Sequence, residues 1–200
     1  GFTQLRMGYY EEGWKNYRLS MRRDGIWRFP EWKGEELKQK SLLVIQDQGQ
    51  GDVVQFFPLL RDIWAQQPKR LVVAVSVALV TLFKSQGVQF EVVDMEAFDW
   101  DDYRFDFQVN QMALPSLLGV NLLCPSHAQP SLLASPDRLP TQWRKFVEND
   151  SNLKVGVVWS GGDSFKANYV RSTALSDWRE LWEIDGVSFY SLQKDIFSNQ

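Results

Sequence analysis

Leu42-Leu43-Val44-Ile45-Gln46-Asp47-Gln48-Gly49-Gln50-Gly51-Asp52 runs from a solid apolar stretch into a glycine-spaced polar loop, and Val53, Val54, Phe56, Phe57 and Leu60 come after it. The order reads as strand, glycine loop, helix. Ligands of α/β proteins collect at such junctions, because glycine permits tight turns and close backbone approach and the first amides of a helix favour anionic or polar groups. Asp52 is placed at that mouth. Two roles are open to it from pattern alone: a helix N-cap, for which Asp is a preferred residue, or a reacting carboxylate.

The motif returns about a hundred residues on. Lys154-Val155-Gly156-Val157-Val158-Trp159 is a second apolar strand, and it runs into Ser160-Gly161-Gly162-Asp163-Ser164. A helical stretch Leu175 to Glu183 follows, and then a strand, Val187 to Leu192, ending in Gln193-Lys194-Asp195. Between the two junctions, Leu71 to Val75 reads as a strand, Val77 to Ser85 as a helix closing at Gly87, and Val88 to Val93 and Phe105 to Val109 as further strands. The expectation is a mostly parallel sheet. Prolines 125, 130, 136 and 140 mark a surface connection, and Asp137 to Asn149, with Leu139, Trp143, Phe146 and Val147, reads as the helix leading into the second half.

The run LLVIQDQGQGDVVQFFPLL, the phrase VGVVWSGG, the pair Arg171-Ser172 ahead of Ala174-Leu175, and FYSLQKD resemble, in this order, the tetratricopeptide-linked glycosyltransferases of GT-B fold, relatives of the lipopolysaccharide heptosyltransferases. Gly51-Asp52 followed by Pro58 matches the heptosyltransferase pattern in which that Asp is the proposed base. The resemblance implies a GT-B-like α/β protein in three parts: a partial helical repeat and connector over 1–32, an acceptor-side Rossmann-like domain over 33–136, and the start of a donor-side Rossmann-like domain over 137–200. It implies that upstream repeats and most of the donor half lie outside these residues, and that this stretch is inactive alone.

The same resemblance implies transfer of a sugar from a nucleotide-sugar donor to a hydroxyl of a glycan or protein acceptor. Asp52 would be the base, and Gly49 and Gly51 its loop. Ser160, Gly161, Gly162, Arg171, Gln193 and Lys194 would face the donor phosphates, with amide and cationic groups stabilising the departing diphosphate and no metal or other cofactor required. For Lys194 a solvated surface position is the competing reading, and for Arg171 a bracing role. The loop departs from its relatives in reading Ser-Gly-Gly-Asp-Ser-Phe-Lys-Ala-Asn where they carry Gly, Asn and basic residues. A non-catalytic carbohydrate- or protein-binding module is the alternative function. A flavodoxin-like nucleotide binder is disfavoured because Gln48 to Asp52 lacks a Ser/Thr-dense phosphate loop.

Composition narrows the field. Lys and Arg total 22 against 25 Asp and Glu, a net charge of −3, which gives no general attraction for nucleic acid. The longest apolar stretch, Leu71 to Phe83, falls short of a membrane span, and a cytoplasmic location is expected. One cysteine, Cys124, and one histidine, His127, give no internal disulfide and no histidine-based metal site or triad. Asp99, Asp101, Asp102 and Asp106 have spacing unlike a calcium loop and read as a solvated turn.

At the amino end, Gly8 to Trp14 with Tyr17 and Met21 reads as the end of one helix and the start of another, packed on the following domain. The aromatics of the connector from Ile26 to Trp32 are expected to pack on that domain, with sugar stacking the less favoured role.

Overall fold

The computed structural model describes residues 1–20, 27–121, 132, 140–162 and 167–194. Expectations resting on Met21, Ile26, Cys124, Pro125, His127, Pro130, Pro136, Asp137, Leu139, Asp163, Ser164 and Asp195 lie outside them. The chain divides into two compact units, Gly1–Ala134 and Ser135–Gln200.

The first unit is a mixed α/β structure around four parallel strands, compatible with a Rossmann-like fold. β1 (Ser41–Ile45), β2 (Arg70–Val75), β3 (Glu91–Asp94) and β4 (Phe107–Asn110) lie in the order β3-β2-β1-β4. Register is set by pairs such as Leu43 with Val72 and with Gln108, and Val73 with Val92. β3 begins three residues later than expected and β4 two, with Val88 and Phe105 left outside them.

Alternate residues of a strand face opposite sides, and here both sides are apolar. Leu42, Val44, Leu71, Val73 and Val75 face a layer made by Val53, Phe57, Leu60, Ile63 and Phe83. These belong to α3 (Gln50–Gln55), α4 (Phe57–Ala65) and α5 (Val77–Lys84). The opposite side, Leu43, Ile45, Val72 and Ala74, meets Phe98 and Phe105, with Phe29, Trp100 and Tyr103 around them. The β3-to-β4 connection thus covers the second side with aromatic rings instead of a helix.

That changes the reading of the acidic loop. Its aromatics are packed, Tyr103 stacking 4.4 Å from Phe98, while Asp99, Asp101 and Asp102 are exposed. Asp106 is not part of the solvated turn. Its carboxylate accepts from Ser41 N and Ser41 Oγ, both at 2.8 Å, and from Lys40 Nζ at 3.2 Å. The Ser41 amide and hydroxyl, aided by Lys40, hold Asp106 down at about 2. Among the described residues no His, Cys, Asp and Glu cluster could hold a metal ion.

The helix expected after the glycine loop is two helices. Phe56 interrupts it at φ −96° and ψ 11°, and Pro58 sits in the first turn of α4. Proline has no N–H to donate and its ring crowds the carbonyl four residues back, which disfavours a regular helix continued through Val54 to Pro58.

At the amino end, α1 (Phe2–Arg6) and α2 (Tyr10–Ser20) form a short helical pair. Gly13 lies against Leu5, whose Cδ2 would be 2.7 Å from an added Cβ, so the close approach of the two helices requires glycine there. α2 packs on the domain through Trp14 and Tyr17, with Trp14 edge-on to Phe56 at 5.6 Å. The connector follows: Trp32 is fully buried and donates its indole N–H to Glu35 O, and Glu31 bridges to Gln108 beside β4.

In the second unit, a helix over Thr141–Glu148 precedes β5 (Leu153–Val157), which pairs in parallel with β6 (Val187–Ser191). Val158 and Trp159, expected within the strand, lie beyond it, and the stretch Leu175–Glu183 is a 3₁₀ helix. Among the described residues no helix is long and apolar enough to cross a membrane.

Candidate functional site

In the first unit the site forms where β1 ends. The two glycines do not supply the tight turn expected of them: Gly49 has φ −60° as the N-cap of α3, and Gly51 lies inside that helix. What Gly51 supplies is room, since a Cβ there would meet nothing within 4 Å. Of the two roles open to Asp52, the N-cap is filled by Gly49 instead, and Asp52 lies in the first turn. An acid there is favoured by the positive end of the helix. Asp52 is half-buried, and its Oδ2 stands 3.4 Å from where a Cβ on Gly49 would be, so the carboxylate folds back over the loop.

The loop is tied to the sheet by side chains that sequence reasoning left aside. Gln46 donates Nε2 to Gln48 O at 3.0 Å and accepts the Ser76 amide at 2.8 Å, which joins the ends of β1 and β2. Asp47 Oδ1 accepts the Met112 amide at 3.2 Å, and buried Gln111 donates to Val53 O at 3.0 Å, which joins the loop and α3 to the turn after β4. Their polarity directly after a buried strand was the available signal. Tyr17 of α2 faces the same place: burial first, then the charges of Asp52 and Asp47, raise its phenol pKa above the ordinary range.

One turn along α3 from Asp52 a cavity of about 240 Å³ opens, lined by Tyr10, Trp14, Gln55, Phe56, Pro58 and Leu59 among others. Trp14 Nε1 is buried and makes no hydrogen bond among the described residues.

The second unit gathers the remaining expected residues around the loop after β5. Gln193 is the most engaged of them. Its Oε1 accepts the amides of Trp159 at 3.3 Å and Ser160 at 3.1 Å, and its Nε2 donates to Ser160 O at 3.3 Å. Ser160 is buried, with Oγ donating to Gly161 O and within 3.3 Å of both Ser172 Oγ and Asn168 Nδ2. Ser172 Oγ also accepts the Gly161 amide at 3.4 Å.

Arg171 Nε donates to Asn168 Oδ1 at 3.1 Å, and both side chains lie over Gly161, where an added Cβ would come within 2.4 Å of Asn168 and 2.6 Å of Arg171. This close approach is what glycine permits at position 161. Gly162 is open, with nothing within 4 Å of an added Cβ, and Lys194 is exposed. Asn168 and Ser172 were missed as site residues; the seryl half of the Arg171-Ser172 motif was the clue. The arrangement brings the Arg171 side chain to a loop whose amides at 159, 160 and 161 are held by Gln193 and Ser172, and a guanidinium is suited to an anionic ligand.

No protein-family model matches the chain, and no solved structure matches it. Protein FlbA of Caulobacter vibrioides is 28% identical over 215 aligned positions, which cover 94% of this chain and 35% of FlbA. The chain therefore spans about a third of the length of that curated relative.

Proposed function

We propose that the protein to which this chain belongs transfers a glycosyl group from a nucleotide-sugar donor to a hydroxyl of a glycan or protein acceptor, in a GT-B architecture joined to tetratricopeptide-like helices. The observation that carries the reading is Asp52: a half-buried carboxylate in the first turn of the helix that follows a central parallel strand, beside an open glycine, the side of the sheet where α/β proteins bind ligands. The four ordered motifs quoted above supply the chemistry.

In this mechanism Asp52 takes the proton from the acceptor hydroxyl as that oxygen attacks the anomeric carbon, and the bond to the diphosphate breaks with its electron pair leaving on the phosphate oxygen. In the second unit, the Ser160-Gly161-Gly162 loop, Arg171 and Lys194 are the groups proposed to bind the diphosphate of the donor. Gln193 acts through the loop, holding the amides of residues 159 and 160 in register. No metal is assigned to the step, and the site is proposed to work in the cytoplasm.

The test is turnover of a panel of nucleotide sugars by the intact protein. Asp52→Asn is expected to lower kcat by about 10²- to 10⁴-fold with the fold retained, the range for a lost general base. Unchanged turnover in Asp52→Asn would remove the base assignment. Absence of hydrolysis or transfer from any nucleotide sugar would favour a binding module.

A further inference from the structure

Among the described residues, three cavities of about 240 Å³ each lie along one face of α2. Tyr10, Glu11, Trp14, Lys15, Arg18 and Leu19 line them, a spacing that makes one stripe on a helix of 3.6 residues per turn. The cavities adjoin. Those at Tyr10 and at Glu11 share Trp14, Val120 and Asn121, and the one at Leu19 shares Ser116 with the one at Glu11. Together they form a groove that follows α2 for about 14 Å, at 1.5 Å per residue from Tyr10 to Leu19.

Its two ends differ in chemistry. The Tyr10 end is apolar, closed by Phe56, Pro58 and Leu59, and it takes in Gln55, which lies one turn along α3 from Asp52. Residues three apart are neighbours on a helix surface, so this end opens beside the carboxylate. The Leu19 end is lined by three cations and one acid. Arg18 is paired with Glu31 at 2.9 Å, which leaves the exposed Lys15 and Lys33 to set the sign there. Glu11 stands at the middle and disfavours an acidic group at that point.

We infer that this groove binds an extended polypeptide segment, with an apolar side chain in the Tyr10 cavity and an acidic side chain at Lys15 and Lys33. An extended chain rises about 3.3 Å per residue, so the two side chains stand about four residues apart. A polypeptide offers a large apolar group and a carboxylate at such a spacing, whereas a glycan chain lacks the apolar group. The residue next to the apolar one carries the hydroxyl that meets Asp52. That last assignment, which makes the segment the acceptor, rests on the glycosyltransferase reading; the binding itself does not.

Fluorescence anisotropy of the intact protein with labelled peptides tests this. Two peptides carry a serine and a leucine side by side with an aspartate four residues away, one for each chain direction, and the tighter of the two is compared with its variants. Exchanging its aspartate for lysine is expected to weaken binding about five- to tenfold, the scale of one or two exposed ion pairs. Exchanging its leucine for serine is expected to weaken it at least about tenfold, as loss of a buried side chain does. In the protein carrying both Lys15→Glu and Lys33→Glu, two exposed positions, the preference between the aspartate and lysine peptides is expected to reverse, which a merely structural role for the lysines does not produce. Equal binding of those two peptides to the unsubstituted protein, no reversal in the double variant, or no binding of any peptide at about 1 mM overturns the inference. Charge-dependent peptide binding without turnover of any nucleotide sugar upholds the groove and removes the transferase reading. Transfer to a soluble glycan without peptide binding overturns the groove and leaves the transferase reading in place.

Discussion

The two units carry the same strand-then-glycine-loop motif and hold it by different means. In the first, β1 and β2 are buried on both sides, and α3 and α4 press Val53, Phe57 and Leu60 onto them. In the second, Val157 and Ser160 are the buried residues among those described, while Trp143, Phe146 and Tyr169 are more than half exposed. Its loop is held instead by a polar web of Gln193, Asn168 and Ser172. Apolar packing places Asp52, and hydrogen bonds place Ser160 and Gly161. Substitutions in the two units should therefore fail in different ways.

The largest effect is expected from Phe57→Ala, which empties a fully buried ring position 4.5 Å from Phe83. A loss of about 3–5 kcal/mol is expected in denaturant unfolding of the first unit. A cost below about 1 kcal/mol would show that packing is not what supports the Asp52 loop.

Gln193→Ala comes next. It strips the Trp159 and Ser160 amides of their side-chain acceptor, for an expected cost of about 1–3 kcal/mol and faster hydrogen exchange at those two amides. Unchanged exchange would mean the loop is held by something other than the polar web. Gly161→Ala should cost about 1–2 kcal/mol, because Asn168 or Arg171 must move away from a Cβ that would come within 2.6 Å of either. The same substitution at Gly51, where the space is empty, should change stability by no more than about 1 kcal/mol and allows a direct contrast between the loops.

The smallest effect belongs to Asp106, at the start of the first unit's sheet. Its folded pKa of about 2 lies below the ordinary 3.8, so on acidification the unfolded chain takes up the proton first. The stabilisation is present above 3.8 and is lost as the pH falls through about 2. Asp106→Asn should cost about 1 kcal/mol at neutral pH, kept small by solvent screening, and should flatten the acid limb of the stability curve. An unchanged acid limb would place the pH sensitivity elsewhere.

Much of the first unit was legible because its strands are short apolar runs bounded by polar loops, and burial on both sides leaves little else for Leu42 to Ile45 or Leu71 to Val75 to do. The break at Phe56 was not drawn from the sequence, although Pro58 carried the signal. The aromatic cover over the second side was missed because Phe98, Tyr103 and Phe105 share their loop with acids, and local charge outweighed ring area in the reading. At the candidate sites the named residues fall in two separate groups, Gly49, Gly51 and Asp52 in one unit and Ser160, Gly161, Gly162, Arg171, Gln193 and Lys194 in the other. A glutamine in a turn has no distinctive signature, whereas the bonds of Gln193 tie the end of β6 to the loop after β5.

By itself the sequence determined the alternation of strands and helices, the two glycine junctions and the residues at their mouths, because periodicity and turn chemistry are local properties. Tertiary structure alone decided that Asp106 is drawn to Ser41 and that Gln193 holds the Ser160 loop. Each of those depends on residues distant in the chain meeting in space, and the pairing of strands and the burial of rings bring them together.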